Sequence, residues 1–429
     1  MRADLVIEGR AYVDGRLIEA AIAIDDGVIA SVSSPALAPS ADERLVLGPG
    51  QIMLPGMVDM HVHLRDFNQA YKEDWYTGTL AALRGGVTLV ADMPNNDPPV
   101  NSLARLREKL EIAGSRALVD FALYCGAPMD PGEISEIRKI ACGFKIYPED
   151  YGRLPSLLDQ LEGSLVVIHP EDPETIMLER SRIISPRIED HGRIRPKLAE
   201  IRAVDRVLEI AGSRRLRLHF THLTTGDSIM RAISSKLRGG SISCDATLHH
   251  ALLSSDAVKV LGSIAKVNPP LRSREDSEAV LSAMRSGLVD AITSDHAPHL
   301  LEEKLRDDYD EVPPGFPGLE IYLPMMMTEV LEGRVPLRVL DLYSRKPAEI
   351  LGARKGSLTP GMDGDVVVVE LGRERVISPS GFASKAKYTP FEGWKIKAEV
   401  RMVFLRGTLA LRDGEPCVRM GFGRHVAGS

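Results

Sequence analysis

Between residues 55 and 350, short runs rich in Val, Ile and Leu alternate with longer amphipathic stretches. This alternation predicts parallel strands whose two faces are covered by helices. Eight runs qualify as strands: Met57–His61, Val87–Met93, Leu118–Tyr124, Gly143–Ile146, Leu165–His169, Leu216–His222, Ser241–Ala246 and Val289–Asp295. Helices are predicted between them, including Asp74–Arg84, Ser102–Ala113, Lys197–Ala211 and Arg274–Ser286. Eight such units favour a closed (β/α)8 barrel over an open sheet, and the interval holds the roughly 250 residues that this fold needs.

The two ends of the chain differ from this middle part. Residues 5–54 contain short β-rich runs separated by turn residues such as Asp14-Gly15. Similar β-rich runs occur again at Val366–Val369 and Val400–Leu405. We therefore predict an α/β fold in which a TIM-like barrel, residues 54–351, carries a small β-sandwich domain built from both termini. That composite domain is predicted to comprise residues 1–53 and 352–429.

Composition excludes several classes of protein. The 429 residues include 53 Lys+Arg and 60 Asp+Glu, a net charge of −7, and no basic run that would neutralise a nucleic-acid backbone. Apolar runs end well before the roughly 18 residues that a membrane span requires. The four cysteines, Cys125, Cys142, Cys244 and Cys417, form no C-x-x-C pair, which argues against a disulfide framework and a thiolate zinc site. Without a signal-peptide pattern at the first residues, a cytoplasmic location is predicted.

Histidines stand at the ends of the predicted strands. His61, His169 and His222 each end one, and in such a barrel all carboxyl ends of the strands face one mouth. His63 points to the same side of its strand as His61, because side chains alternate with a period of two. An isolated H-x-H pair is more often structural than metal-binding. The corresponding positions of His169, His222 and Asp295 on later strands favour a metal site here.

A lysine, Lys145, lies on the fourth predicted strand. An ammonium group aimed at a cluster of cations would be repelled, and burial would lower its pKa. The neutral amine can take up CO2 to become a carbamate, an anionic oxygen donor suited to bridging two metals. Alternatively, Lys145 extends its side chain to solvent at the end of the strand.

Imidazole and carboxylate or carbamate ligands favour zinc, with cobalt or manganese as substitutes. A pair of such ions would acidify a water and polarise a carbonyl. Asp295 is suited to bind one ion, accept a proton from that water and return it to a leaving nitrogen. As an alternative, Asp295 serves as a helix N-cap.

Five segments resemble a known family: Leu54–Asp66, which contains His61-Val62-His63-Leu64-Arg65-Asp66, Asp92-Met93-Pro94-Asn95-Asn96, Gly143-Phe144-Lys145, Val267-Asn268-Pro269-Pro270-Leu271-Arg272 and Ser294-Asp295-His296-Ala297-Pro298-His299. They are similar to the amidohydrolase superfamily and, within it, to the dihydroorotase family, and the likeness runs over nearly the whole chain. H-x-H alone marks the superfamily, whereas the combination is specific to dihydroorotases. Phe67 stands where that family usually has proline.

The resemblance implies two zinc ions per subunit. It assigns His61, His63 and Asp295 to one ion and His169 and His222 to the other, with a carboxylated Lys145 between them. Asp150 is the fallback, since some bacterial members use an aspartate a few residues after this position. It further assigns substrate binding to Arg65, Asn95, Asn268 and His299, and it likens Pro313–Gly318 to a loop that covers the substrate.

The implied activity is the reversible interconversion of N-carbamoyl-L-aspartate and (S)-dihydroorotate in pyrimidine biosynthesis. Arg65 and His299 favour this small-molecule substrate, because they suit a carboxylate that the neutral rings of hydantoinase and allantoinase substrates lack. Those two activities stay alternatives, as does a non-catalytic barrel that serves as a scaffold. The resemblance also suggests a homodimer and an association with aspartate transcarbamoylase.

Overall fold

The computed structural model describes residues 2–212 and 214–427. The chain begins with five strands: β1 (Arg2–Val13), β2 (Arg16–Asp25), β3 (Val28–Ser33), β4 (Ser40–Val46) and β5 (Gln51–Pro55). The turn between β1 and β2 consists of Asp14 and Gly15, both with positive φ, as a two-residue hairpin requires. β1 also pairs in parallel with β4 through its first half and with β5 through Arg10 and Ala11.

Eight parallel strands follow and form the barrel: β6 (Met57–Val62), β7 (Val87–Asp92), β8 (Asp120–Gly126), β9 (Gly143–Ile146), β10 (Leu165–Ile168), β11 (Arg217–Phe220), β12 (Ile242–Thr247) and β13 (Ala291–Thr293). Each strand pairs with the next one along the chain. A hydrogen bond connects the ends of the first and last barrel strands: the N–H of His63, just after β6, donates to the carbonyl of His296, just after β13, at 2.8 Å. The predicted barrel is confirmed, and its strand ends differ from the predicted ones by at most two residues.

Fourteen α-helices are present in the described ranges: α1 (Trp75–Arg84), α2 (Leu103–Arg116), α3 (Ile134–Ile137), α4 (Leu154–Gln160), α5 (Pro173–Ser181), α6 (His191–Ile194), α7 (Lys197–Ala211), α8 (Gly226–Leu237), α9 (Leu248–Leu252), α10 (Asp256–Leu261), α11 (Arg274–Ser286), α12 (Leu301–Lys304), α13 (Tyr322–Leu331) and α14 (Arg345–Leu351). The Asp74 side chain caps α1 by accepting from the N–H of Thr77 at 2.8 Å. Within those ranges, length and hydropathy exclude every helix as a membrane span.

Apolar side chains fill the lower barrel. Val58, Met60, Leu89 and Tyr124 belong to one buried cluster, and Leu351 of α14 packs against it. The barrel therefore encloses a packed core, and any binding site has to lie above it, at the carboxyl ends of the strands.

Four late strands rejoin the first five: β14 (Val366–Val376), β15 (Lys395–Leu405), β16 (Thr408–Arg412) and β17 (Glu415–Pro416). β14 pairs antiparallel with β5, which connects both ends of the chain into one nine-stranded sheet. Ile24, Val366 and Phe404 share one buried cluster on this sheet. The predicted combination of a barrel with a smaller β-domain drawn from both ends is confirmed.

An ionic cluster connects the start of β8 to the segment before β14. The ammonium of Lys355 lies 2.7 Å from carboxylates of Asp120 and Asp365 and 3.0 Å from that of Asp363. Burial alone would lower the pKa of Lys355, but the three carboxylates outweigh it and raise the pKa. The charges are therefore retained where the two parts of the structure meet.

Candidate metal centre

Side chains from the first and last barrel strands converge at the mouth. The Nε2 atoms of His61 and His63 lie 3.3 Å and 3.1 Å from the same oxygen, Oδ1 of Asp295. Ligand atoms of all three residues lie within 4.8 Å of one another, and the three side chains are buried. Two imidazoles and a carboxylate in this arrangement suit one divalent cation.

The other predicted ligands adjoin this triad. The ring centroid of His222 lies 5.2 Å from that of His61 and 4.6 Å from that of His169. Lys145 has no exposed surface, and its Nζ donates to Oγ1 of Thr221 at 3.0 Å. Burial lowers the pKa values of His61, His169 and His222, and the charge of the neighbouring Lys145 adds to this effect. The structure thus brings His61, His63, Lys145, His169, His222 and Asp295 together at one end of the barrel.

The charge state of Lys145 follows from its surroundings. Burial lowers its pKa to about 7, although Asp245 and Asp295 attract the charged form. Within residues 2–212 and 214–427 its amine has no ion-pair partner. An isolated buried ammonium is costly, so the neutral amine, which is the form that reacts with CO2, is favoured. The alternative in which Lys145 reaches solvent is wrong, because the side chain is completely buried.

Burial also favours the neutral form of two imidazoles in the cluster, His61 and His222. Burial, together with the charges of neighbouring groups, lowers the pKa values of His61 and His222 well below the ordinary value. Neutral imidazole is the form that binds metals. Nδ1 of His222 is buried and lacks a hydrogen-bond partner among the residues described, a costly state that a metal ion beside it would relieve. The donor set therefore fits a divalent metal centre.

Backbone strain accompanies these residues. Arg65, His222 and Asp295 have backbone φ values of 58°, 38° and 47°. Residues other than glycine rarely adopt this left-handed conformation. Such conformations persist where the surrounding structure holds a functional side chain in place. Phe67 has φ 49°, which proline cannot adopt, so the loop after Arg65 depends on the residue that replaces the family's usual proline.

A cavity of about 660 Å³ opens above the ligand cluster. Arg65, Asn95, Asn268 and His299, the predicted substrate-binding residues, all line it. Nη2 of Arg65 lies 3.0 Å from Nε2 of His299, and both side chains are buried. Oδ1 of Asn268 is buried and unpartnered within the described part of the chain. The wall of the cavity thus offers polar atoms that a ligand can use.

Residues 52–410 match the Amidohydrolase family. The chain belongs to the amidohydrolase family. It is 34% identical to a dihydroorotase of Pyrococcus furiosus over 99% of both chains, and 33% identical to a dihydroorotase of a Geobacter species over 96% of this chain and all of that one. The resemblance to this family and to its dihydroorotases is thereby confirmed.

Solved structures of other amidohydrolases share the fold. An L-hydantoinase from Arthrobacter aurescens superposes with a TM-score of 0.93 at 28% identity and covers 99% of this chain and 100% of its own. A D-hydantoinase from a Thermus species has a TM-score of 0.90 at 25% identity, with 99% of each chain covered. Both proteins also carry the name dihydropyrimidinase.

In this amidohydrolase the carboxylate of Glu171 orients His169, a role that the sequence alone does not predict. The Nε2–H of His169 donates to Glu171 at 2.7 Å, which leaves Nδ1 available for a metal. Arg195 approaches the same Glu171 oxygen at 2.5 Å. Burial alone would raise the pKa of Glu171, but the charge of Arg195 and the bond from His169 hold it well below its usual range. The only indication of this role in the sequence is that Glu171 follows His169 by two residues.

We expect Glu171→Gln to weaken metal binding about 10- to 100-fold, because residues that orient a ligand contribute on this order. Gln keeps the shape but loses the charge that holds His169 and Arg195. Competition with a coloured chelator measures the change. Glu149→Gln is the matched control, since Glu149 lines the cavity and its carboxylate contacts none of the predicted ligands. Equal metal retention in both variants would contradict this role.

Two more buried carboxylates position the strand ends. Asp59 accepts from the N–H of Ser294 at 3.1 Å, and burial raises its pKa to about 7. Asp245 accepts from the N–H of His222 at 2.7 Å and from the hydroxyl of Thr293 at 2.8 Å. These contacts connect neighbouring barrel strands directly below the ligands.

Asn95 and Asp150 have contacts that the sequence did not indicate. The Nδ1–H of His63 donates to Oδ1 of Asn95 at 2.6 Å, so this asparagine orients a ligand as well as lining the cavity. Asp150 accepts from the N–H of Tyr147 at 3.3 Å and is not among the residues that line the cavity. The structure thus offers Lys145, and not Asp150, to the ligand cluster.

The remaining histidines have other partners. Nδ1 of His191 contacts the hydroxyl of Tyr309 at 2.7 Å, and Nε2 of His219 contacts Asp245 at 2.8 Å. His249 contacts the hydroxyl of Tyr322 at 2.7 Å. Each of these three histidines thus contacts a partner outside the predicted ligand set.

Proposed function

We propose that this amidohydrolase interconverts N-carbamoyl-L-aspartate and (S)-dihydroorotate by hydrolysing and re-forming a cyclic amide. The buried pair of Arg65 and His299 beside the ligand cluster is the observation that carries this proposal. A guanidinium that borders the cavity suits a carboxylate on the substrate ring. Relatives of this chain that are named dihydroorotase support the same substrate.

The charges around His299 strengthen this preference. Lys72 donates to Nδ1 of His299 at 3.1 Å, so Nε2 carries the proton of the neutral ring and donates it to the carbonyl of Pro314 at 3.1 Å. Burial, with the charges of Arg65 and Lys72, lowers the pKa of His299 well below its ordinary value. The cavity wall therefore presents the guanidinium of Arg65 beside a neutral imidazole, which favours an anionic ring over a neutral one.

The residues present suit two zinc ions: His61, His63 and Asp295 would hold one, His169 and His222 would hold the other, and a carboxylated Lys145 would supply a ligand to the pair. When bound, the ions would supply Lewis-acid polarisation of the amide carbonyl and a water acidic enough to attack at neutral pH.

Asp295 moves the proton. Its carboxylate lies between His61 and His63 and borders the cavity, so it can accept the proton of the attacking water. It then donates this proton to the ring nitrogen as the amide bond breaks. In the ring-closing direction the same carboxylate accepts the proton of the carbamoyl nitrogen.

The cavity wall orients the ring during these steps. Arg65 and His299 bind its carboxylate, and Asn268 offers an amide to a polar ring atom. Pro314 and Gly315, within the predicted covering loop, line the same cavity. Their backbone limits the access of further water to the reacting amide.

We expect Arg65→Met to raise the KM for dihydroorotate about 10- to 100-fold, because a hydrogen bond to a charged group contributes about 1.5–3 kcal/mol. Turnover of neutral hydantoin should change little, since that ring has no carboxylate. Steady-state kinetics on both substrates measure the difference. Arg180→Met is the matched control, because Arg180 lines the outer cavity and pairs with Asp310 at 2.6 Å. Equal losses on both substrates would contradict carboxylate recognition by Arg65.

A hydantoinase activity is the second candidate, favoured by the likeness to solved hydantoinases. Turnover of dihydroorotate, hydantoin and allantoin by the same preparation separates the candidates. A scaffold without catalysis would bind no metal and turn over none of the three. The homodimer and the association with a transcarbamoylase stay predictions.

A further inference from the structure

A second buried lysine lies outside the ligand cluster. Lys304 ends α12, has no exposed surface, and directs its Nζ at three backbone carbonyls. The distances are 3.0 Å to Lys266, 2.9 Å to Pro313 and 3.0 Å to Gly315. Burial and the nearby charge of Lys266 lower the pKa of Lys304, but three converging carbonyls match the three N–H groups of an ammonium and oppose that shift. A buried charge held by carbonyls alone is costly unless such contacts are complete.

The three carbonyls belong to two segments that form one wall of the cavity. Lys266 precedes Val267 and Asn268, which line the cavity, and Pro313 precedes the lining residues 314–315. The N–H of Gly315 also donates to the carbonyl of Lys266 at 2.9 Å. Lys304 therefore lies at the point where both segments meet.

Close packing connects this wall to the segment after Asp295. A Cβ atom at Gly315 would lie 2.7 Å from the carbonyl oxygen of Ala297, and the glycine has φ 118°. Only glycine allows this approach. A displacement of residues 313–315 would therefore change the space beside Asp295.

Lys266 holds the preceding part of the same loop. Its Nζ donates to the carbonyl of Tyr309 at 2.6 Å and to that of Val312 at 2.8 Å. The same ammonium lies 3.8 Å from the centroid of the Tyr309 ring. Two lysines thus hold residues 309–315 through backbone carbonyls.

We propose that Lys304 is a positioning residue, whose ammonium fixes residues 313–315 against residues 266–268 so that substrate meets a preformed cavity wall. Because the cavity wall is already ordered, substrate binding does not have to offset the entropic cost of ordering residues 313–315. The inference rests on the proposed function for the identity of the substrate only. Lys304 acts through the segments that it holds, and none of its own atoms contacts the cavity.

Hydrogen exchange of the full-length Lys304→Met protein tests this role. We expect amides of residues 305–316 to exchange at least about tenfold faster, while amides of β6–β13 keep their rates. The KM for dihydroorotate should rise about tenfold, with kcat within about twofold and metal content unchanged. Lys304→Gln, which keeps two N–H donors, should give smaller changes in the same direction and serves where the Met variant does not fold.

Lys355→Met is the control for a general loss of stability. It removes an equally buried lysine far from the mouth, so we expect a lower Tm with unchanged exchange in residues 305–316 and an unchanged KM. Unchanged loop exchange in Lys304→Met, faster exchange throughout the barrel, or faster loop exchange without a change in KM would each overturn the proposal. If the unmodified protein does not turn over dihydroorotate, the proposed function fails, and the exchange measurement still decides the role of Lys304.

Discussion

Lys145→Ala is expected to lose most of the bound metal and at least about 10³-fold of the dihydroorotate turnover. Lys145 is the one predicted ligand suited to bridge two ions, and Lewis-acid catalysis supplies several kcal/mol of barrier reduction. Elemental analysis of protein purified without chelator gives the metal count, and a dihydroorotate hydrolysis assay gives the turnover. Both values are compared with those of the unmodified chain.

Two further measurements make the Lys145 result specific. Acetate or propionate should restore part of the activity, because a small carboxylate can occupy the space of the missing carbamate. Asp150→Ala should keep both metal and activity, because Asp150 caps a turn and does not line the cavity. Full metal and turnover in Lys145→Ala, together with their loss in Asp150→Ala, would show that the bridging ligand is misassigned.

Asp295→Asn is expected to lower kcat about 10²- to 10⁴-fold, the range that general acid–base groups contribute. The amide retains the shape and one oxygen beside His61 and His63 but cannot accept the proton. The KM for dihydroorotate should stay within a few-fold, since Arg65 and His299 are unchanged. Steady-state kinetics with a parallel metal count measure both effects. A kcat equal to that of the unmodified protein would assign the proton transfer to another group.

The sequence predicted the barrel because strand and helix periodicities differ clearly over eight successive units. It did not predict how β6 presents its histidines. The pairing of β6 with β7 shifts between Asp59 and Val62, a bulge of the kind that redirects side chains beside active sites. Met60 consequently packs in the lower barrel, while the next residue, His61, faces the ligand cluster. No residue pattern marks such a bulge.

The sequence also does not show which residues contact one another in the folded site. The sequence assigns Asn95 to substrate binding, but its bond to His63 depends on the conformation of the loop after β7. Glu171 gains its role from Arg195, which lies in a distant irregular segment. Lys304 resembles a surface residue in the sequence, and its burial results from carbonyls of two other segments. These contacts join segments that are distant in the sequence, so they form only in the folded chain.

The pairing of β5 with β14 has a consequence for synthesis on the ribosome. β5 emerges before the barrel, whereas its antiparallel neighbour emerges after it, so the nascent chain carries an open strand edge throughout translation of β6–β13. Chaperones that shield such edges would have their longest opportunity during this interval.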